Sequence, residues 1–211
     1  MIRFDLSLYL VLDPALCGPR GMVETARAAV AGGATMVQLR HKTASTAERT
    51  ALGRALRAAL AGTGAALIVN DDIDAARACH ADGLHVGQDD MPVAEARARI
   101  GPDLILGLSV ETVDAARAAD PALVTYVGAG PVFATATKPD HKPPIGFDGL
   151  ARLVAAAPVP AIAIGGLNGH HAASITAAGA AGMAVVSAIC GAHDPGKAAH
   201  SIALALKEAH Q

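Results

Sequence analysis

Residues 66–72 read Ala-Leu-Ile-Val-Asn-Asp-Asp, and residues 83–90 read Gly-Leu-His-Val-Gly-Gln-Asp-Asp. Each run begins as a short apolar segment, typical of a buried strand, and ends in carboxylates. If the two strands are neighbours in a parallel sheet, acids from both lie at one edge of that sheet. Carboxylates that lie close together repel each other, so such a pair shares a proton or holds a cation. Oxygen ligands of this kind suit Mg²⁺, which uses one or two carboxylates together with water and phosphate oxygens.

Apolar segments like these recur along the chain and alternate with Ala-rich amphipathic segments. This alternation is typical of parallel strands that are buried on both faces. The predicted strands are residues 7–12, 35–40, 66–70, 83–86, 104–109, 125–128, 161–164 and 184–186. The predicted helices are residues 23–31, 47–61, 93–100, 113–118, 150–156, 171–178 and 196–209, with a short one at 73–79.

Eight strand–helix units in 211 residues predict a compact α/β fold, the (β/α)₈ or TIM barrel. We expect a single catalytic domain over residues 1–211, with its active site at the C-terminal ends of the strands. A doubly wound open sheet is the structural alternative. It normally carries an early glycine-rich dinucleotide motif, whereas the first strand here is followed by Asp13-Pro14.

The composition argues against several classes of function. Aromatic residues make up 2% of the chain, and its net charge is −2 without a Lys/Arg run, so a nucleic-acid surface is not expected. No apolar run reaches the roughly 18 residues of a membrane span, and residues 6–12 lack the flanks of a signal peptide. The cysteines at 17, 79 and 190 form neither a zinc nor a disulfide pattern, which favours a reducing cytoplasm.

Polar residues follow most of the predicted strands, and a barrel brings these strand ends to one face. In strand order they are Gln38, Arg40 and Lys42; Asn70 and Asp71; Gln88, Asp89 and Asp90; Ser109; the loop residues Thr135, Ala136, Thr137 and Lys138; Gly165 and Gly166; and Ser187.

These strand ends suggest two anion sites. Strands seven and eight end in Gly165-Gly166 and Ser187, where phosphate sites of this fold frequently lie. The cations Arg40, Lys42 and Lys138, together with the acidic pair, could neutralise a more highly charged group. A pyrophosphate leaving group needs such neutralisation, because negative charge builds on its oxygens as the bond breaks.

Each element also has a purely structural explanation. Asp71 and Asp72 can cap the short helix that follows them. Asp89-Asp90 can be a solvated turn, and the cations of the second strand a solvated strand end. His85 is better explained as a hydrogen-bonded histidine of the barrel interior than as a metal ligand. The proline-rich stretch 130–147 is long for a connection within a domain, and we interpret it as a lid.

The chain resembles the thiamine-phosphate synthase family in these same segments, in order and over nearly its whole length. The matching residues are Val-Gln-Leu-Arg-His-Lys at 37–42, Ile-Val-Asn-Asp at 68–71, the run at 83–90, Gly-Pro-Val-Phe-Ala-Thr-Ala-Thr-Lys at 130–138, Ala-Ile-Gly-Gly at 163–166 and Val-Val-Ser-Ala-Ile at 185–189. The resemblance implies the same barrel and a transferase. Such an enzyme joins 4-amino-2-methyl-5-(diphosphooxymethyl)pyrimidine to a (carboxy)thiazole phosphate and releases pyrophosphate.

The resemblance also implies roles for individual residues. Mg²⁺ is assigned to Asp71 and Asp90. The pyrimidine and its pyrophosphate are assigned to Gln38, Leu39, Arg40, His41, Lys42, Asn70, Ser109 and Lys138, among which Arg40, Lys42, Ser109 and Lys138 are the catalytic set. The thiazole phosphate is assigned to Thr135, Ala136, Thr137, Gly166, Val186 and Ser187. The implied mechanism is dissociative: pyrophosphate departs, the aminopyrimidine stabilises the methylene cation, and the thiazole nitrogen captures it.

Two positions depart from the family pattern. His41 stands where Glu is usual, and Glu111 stands where many members have His. The nearest alternative is a thiazole tautomerase-like paralogue, which tends to lack Asn-Asp and Thr-x-Thr-Lys and uses a His near position 111. A catalytically silent phosphate-binding paralogue is the alternative from another class. The expected partners are small-molecule substrates rather than nucleic acid or membrane, and a homo-oligomer is compatible with the sequence.

Overall fold

The computed structural model describes residues 4–88, 90–137 and 142–211. Eight parallel strands close into a barrel in sequence order, with β8 paired to β1. The strands are β1 (Leu8–Leu12), β2 (Met36–Leu39), β3 (Ala66–Asn70), β4 (Gly83–Val86), β5 (Ile105–Val110), β6 (Tyr126–Ala129), β7 (Ala161–Ala163) and β8 (Met183–Val185). The predicted TIM barrel is therefore confirmed, and the open-sheet alternative is excluded.

Helices surround this barrel. They are α1 (Pro14–Cys17), α2 (Gly21–Ala31), α3 (Thr46–Ala59), α4 (Ile73–Ala78), α5 (Val93–Ile100), α6 (Val113–Arg117), α7 (Gly146–Ala156), α8 (Ala172–Ala177), α9 (Ser187–Cys190) and α10 (Pro195–Ala209). Short 3₁₀ turns precede α2 and α8 at Gly18–Arg20 and Gly169–His171.

The sequence missed the two shortest helices, α1 and α9. Four residues are too few to show a helical period, so hydrophobic patterning cannot find such a helix. The start of α1 does carry a local signal: Asp13 caps it, accepting the Leu16 N–H at 3.0 Å, and Pro14 occupies its first turn. The predicted α7 began at residue 150, but the helix starts at Gly146.

Alternation along the strands separates two apolar layers. Side chains such as Leu10, Leu39 and Leu84 point outward and pack under the helices. The barrel interior is a smaller cluster that includes Tyr9 and Tyr126. Because this interior also contains buried Gln38 and His85, it carries a polar network at its centre.

Cys17, Cys79 and Cys190 are buried, and their thiols are free. Within the described ranges, none of the helices combines the length and apolar character needed to cross a bilayer. The cytoplasmic setting and the single-domain boundaries 1–211 stay predictions.

Candidate active site

A cavity of about 190 Å³ opens at the C-terminal ends of the strands. Most of the residues predicted from the strand ends line it. They are Gln38, Arg40, Lys42, Asn70, Asp71, Asp90, Ser109, Thr135, Thr137, Gly166, Val186 and Ser187. The barrel therefore brings residues from seven strand ends and their loops around one space.

The acidic pair lies on one side of this cavity. Asp71 follows β3 in a left-handed conformation, with φ of 61°, and its backbone N–H donates to the His85 carbonyl at 2.9 Å. Asp90 accepts the Gly87 N–H at 2.7 Å. A positive φ is costly for a residue other than glycine, although Asp tolerates it better than most, and such conformations cluster at functional sites. The backbone thus holds the Asp71 side chain in a defined direction.

The Asp71 and Asp90 carboxyl groups interact with each other. Burial, the hydrogen bond to Asp90 and the charge of Asp90 together raise the pKa of Asp71 to about 7, against the opposing effects of Lys42 and Asn70. Asn70 donates its side-chain amide to the Asp71 carboxylate. A cation bound beside Asp71 would favour the deprotonated form of this carboxyl group and displace its proton.

These carboxylates fit Mg²⁺ in a particular way. Among the described residues, no cluster of three or more His, Cys, Asp or Glu side chains is arranged to hold a metal ion. Mg²⁺ needs only one or two carboxylates when water and substrate phosphate complete its octahedral shell. Asp71 and Asp90 therefore fit a metal that the substrate helps to bind.

Asp72 has the structural role that the alternative explanation foresaw. It caps α4 by accepting the Ala75 N–H at 2.9 Å, and it pairs with Arg49 at 2.9 Å. Burial alone would raise the pKa of Asp72, but these donors outweigh burial and lower it. Its neighbour Asp71 is not the cap, so it remains available to the cavity. The predicted turn residue Asp89 lies outside the described residues.

The cationic side chains lie beside the acids. The Arg40 guanidinium is 4.0 Å from Asp13 and 3.4 Å from the Thr137 carbonyl, and it is largely buried at the cavity wall. Lys42 lines the cavity and also a neighbouring open cleft. Lys138, the third predicted cation, lies outside the described residues.

Sequence reasoning missed Arg49, which positions the loop that carries Lys42. Its guanidinium donates to the carbonyls of His41 at 2.9 Å and Lys42 at 3.0 Å, and to Asp72 at 2.9 Å. One side chain thus ties the β2–α3 loop to the start of α4. No local sequence signal marks it, because the two carbonyls and the Asp72 carboxylate, 23 residues away, are brought close to it only by the fold.

Three residues assigned by the resemblance do not line the cavity. Leu39 is fully buried in the layer under the helices, as strand alternation requires. His41 lines the neighbouring cleft instead. Ala136 is exposed in the loop. Glu111, the other departure from the family pattern, does line the cavity.

The opposite side of the cavity is built from backbone. Gly165 and Gly166 have φ values of 94° and 65°. A Cβ at Gly166 would lie 2.7 Å from the Ala134 carbonyl oxygen, so this close approach requires glycine. In the facing loop the hydroxyls of Thr135 and Thr137 are 2.8 Å apart. These groups offer dipoles rather than charges to a bound anion.

The cavity floor contains a chain of buried polar side chains. Gln38 Nε2 donates to Tyr9 Oη at 2.8 Å, and Tyr126 Oη donates to Tyr9 Oη at 3.1 Å. His85 lies 2.9 Å from Tyr126 Oη through Nδ1 and 2.9 Å from Ser109 Oγ through Nε2. The predicted structural explanation for His85 as a hydrogen-bonded interior histidine is confirmed. Both tyrosines were missed, although strand alternation puts them inside the barrel.

Comparison with known proteins assigns the chain to a family. The family model described as thiamine monophosphate synthase matches residues 8–189. The chain belongs to the thiamine monophosphate synthase family. The thiamine-phosphate synthase of Solidesulfovibrio magneticus is 52% identical over 200 residues, covering 95% of each chain. That of Moorella thermoacetica is 46% identical over 196 residues, covering 93% of each.

Structural comparison agrees with the family assignment. The thiamine phosphate pyrophosphorylase of Pyrococcus furiosus superposes with a TM-score of 0.88 at 37% identity, covering 98% of each chain. The resemblance seen in the sequence motifs is thus confirmed for the family and for the barrel.

Proposed function

We propose that the chain is a thiamine-phosphate synthase. This transferase joins 4-amino-2-methyl-5-(diphosphooxymethyl)pyrimidine to a (carboxy)thiazole phosphate, giving thiamine phosphate and pyrophosphate. The observation that carries the proposal is the division of one cavity into a half with paired carboxylates and cations and a half with glycine backbone and hydroxyls. A coupling of a diphosphate ester with a monophosphate ester requires two such different anion sites within one space. The names of the relatives support the same reaction.

The charged half suits departure of the diphosphate. Arg40 and Lys42 line the cavity, where they are placed to meet charge that grows on the leaving oxygens. Mg²⁺ held by Asp71 and Asp90 would supply further charge neutralisation to the pyrophosphate. Asn70, which is hydrogen-bonded to Asp71, would help to keep that carboxylate in position.

The backbone half suits the second substrate. Gly165 and Gly166 let main-chain groups come close to a ligand, and Ser187 adds a hydroxyl at the start of α9, just after β8. A phosphate anchored there would hold the thiazole ring in the same cavity as the pyrimidine. When the thiazole nitrogen is positioned near the methylene carbon, it captures the methylene cation in preference to water. No covalent intermediate with the protein is required.

The test is a coupling assay with purified chain and Mg²⁺. We expect release of pyrophosphate only when both substrates are present, with thiamine phosphate formed in equal amount. No pyrophosphate release over a range of pH and Mg²⁺ concentration would contradict the proposal. Interconversion of thiazole phosphate isomers without the pyrimidine would instead indicate the tautomerase-like alternative.

A further inference from the structure

The long connection between β6 and α7 is held at both ends by backbone hydrogen bonds. At its first end, the Phe133 N–H donates to the Gly165 carbonyl at 3.1 Å, which ties the connection to the residues that follow β7. At its second end, the Ile145 N–H donates to the Pro131 carbonyl at 2.9 Å. The two ends therefore lie side by side, and Thr135 follows two residues after Phe133.

Three aromatic rings from three different elements pack together at these ends, and we call them the ring cluster. Phe133 and Phe147 meet edge to face, with ring centroids 5.2 Å apart. The His171 ring lies 4.9 Å from the Phe133 ring and 5.9 Å from the Phe147 ring. The chain has three phenylalanines and no tryptophan, and two of the three phenylalanines belong to this cluster. The cluster joins both ends of the connection to the 3₁₀ turn before α8.

Phe133 also lies against the glycine turn in the backbone half of the cavity. A Cβ on Gly166 would lie 2.8 Å from the Phe133 Cβ, a spacing that requires glycine. Gly166 lines the cavity together with Thr135 and Thr137, which follow Phe133 in the chain. The position of Phe133 therefore sets the spacing between the glycine backbone and the loop hydroxyls.

The orientation of the His171 ring is fixed by the backbone of its own turn. The Asn168 N–H donates to His171 Nδ1 at 3.2 Å. A backbone N–H can only donate, so Nδ1 is the acceptor in this contact and carries no proton. Burial, together with the charge of neighbouring His170, lowers the pKa of His171. His171 is therefore neutral at pH 7 and packs against two phenyl rings as an uncharged aromatic ring.

We propose that His171 is a positioning residue for the thiazole phosphate: its ring holds Phe133 in place, and Phe133 sets the spacing between the glycine backbone and the loop hydroxyls. This inference rests on the proposed function, which assigns the backbone half of the cavity to that substrate. His171, itself within the described part of the chain, is not among the residues that line the cavity, so it acts through Phe133. A site made of fixed dipoles needs such support, because a misplacement of roughly 1 Å weakens its contacts with a bound anion.

The first test measures equilibrium binding of each substrate alone, and kcat, in variants of His171. His171→Ala removes the ring, so we expect binding of the thiazole phosphate to weaken about fivefold to tenfold, while binding of the pyrimidine diphosphate and kcat stay within about twofold. His171→Phe restores a ring against Phe133 and should recover the affinity for the thiazole phosphate to within about twofold. His170→Ala is the matched control and should change neither affinity, because His170 is an exposed histidine of the same turn.

A role in stability alone would show a different pattern. Equal weakening of both substrates in His171→Ala, or no weakening of the thiazole phosphate, would overturn the inference. So would a failure of His171→Phe to recover the affinity, because ring packing would then not be what holds Phe133. Phe133→Leu keeps a large apolar side chain without the ring and should reproduce the effect of His171→Ala. Thermal unfolding of each variant shows that the comparison is made between folded proteins.

The second test uses no substrate. Amide hydrogen exchange, followed by mass spectrometry, reports the backbone hydrogen bonds at the two ends of the connection. In His171→Ala we expect exchange to accelerate at least about threefold in peptides that cover residues 131–137 and 145–149, and to stay unchanged in peptides from β2 to β4. Uniform acceleration along the chain, or none at residues 131–137, would overturn the inference. If the thiazole phosphate does not bind the unaltered protein, the proposed function fails, whereas the exchange rates still decide whether His171 fixes this loop.

Discussion

The half of the cavity at the ends of β2 to β4 and the half at the ends of β6 to β8 face each other, yet they present different groups to an anion. The first half presents side-chain charge: Arg40 and Lys42 beside the Asp71–Asp90 pair. The second presents backbone in left-handed conformations at Gly165 and Gly166, with hydroxyls beside it. Among the described residues, one half therefore depends on ionisation, and the other depends on chain geometry.

This difference explains why the two halves should respond to different changes. Charged side chains attract a multiply charged ligand strongly but are sensitive to pH, salt and metal. Backbone N–H groups do not titrate, but the loop conformation that exposes them tolerates no Cβ at the closest approach. Substitutions in one half should affect one substrate and leave the other nearly unchanged.

The largest effect is expected from Asp71→Asn. The change removes one charge of the carboxylate pair while keeping the shape of the side chain, so turnover should fall on the order of 10²-fold and the Mg²⁺ requirement should rise. Steady-state coupling rates at several Mg²⁺ concentrations measure both. Asp74→Asn is the matched control, since Asp74 is a highly exposed carboxylate three residues away that pairs with Arg99. Equal loss in both variants would mean that Asp71 has no special role.

The pH dependence of metal binding follows from the same pair. With the pKa of Asp71 raised to about 7 by burial and by Asp90, a proton competes with Mg²⁺ below that pH. The affinity for Mg²⁺ should therefore increase about tenfold per pH unit as pH rises towards 7, and level off above it. Calorimetric titration of the protein with Mg²⁺, in the absence of substrates, measures this affinity without a contribution from ionisation of the substrates. A constant affinity between pH 5.5 and 8 would contradict it.

In the metal-free protein, folding stability changes with pH in the opposite direction to the affinity for Mg²⁺. A carboxyl whose folded pKa lies above its unfolded pKa binds its proton more tightly when folded, so its contribution to stability decreases as pH rises from about 4 to about 7. Asp71→Asn should remove that part of the pH dependence of unfolding.

A smaller effect is expected in the backbone half from Gly166→Ala. The added Cβ would lie 2.7 Å from the Ala134 carbonyl and would force an alanine to φ of 65°, so the loop must shift. We expect KM for the thiazole phosphate to rise about tenfold, with the Mg²⁺ requirement unchanged. Gly62→Ala is the control, since Gly62 has φ of 78° but open space around its Cβ position. A change in the Mg²⁺ requirement would contradict the separation of the halves.

The smallest effect is expected from Arg49→Ala. Loss of its bonds to the His41 and Lys42 carbonyls loosens the loop that carries Lys42. KM for the pyrimidine diphosphate should rise roughly threefold to fivefold, with KM for the thiazole phosphate unaffected. Arg57→Ala, on the same helix and paired with Asp82, controls for loss of a salt bridge. Equal effects of both variants on KM would show that Arg49 does not position the loop.

Much of this molecule could be predicted from sequence because its signals are local. Apolar strands, capped helices and strand-end acids are all visible within a few residues. The assignments of Asp72 as a helix cap and of His85 as an interior histidine needed only such neighbours. The short helices α1 and α9 could not be found in this way, because four residues have no helical period.

The interior tyrosines and Arg49 depend on contacts that local signals do not contain. Tyr126 meets His85 across 41 residues of sequence because β5, with Gly107 between them, sets their register. Arg49 bonds to two backbone carbonyls and to Asp72, which lies 23 residues away, so its partners cannot be seen within a few residues of sequence. Tyr9 and Leu39 are different, because strand alternation alone places Tyr9 inside the barrel and Leu39 outside it.

The most direct test of the division into two halves is equilibrium binding of each substrate alone to the unaltered protein, with Mg²⁺ and with a chelator. We expect removal of Mg²⁺ to weaken binding of the pyrimidine diphosphate by at least about tenfold. Binding of the thiazole phosphate should change less than about twofold, because glycine backbone and hydroxyls need no metal. Equal dependence of both substrates on Mg²⁺, or independence of both, would contradict the division.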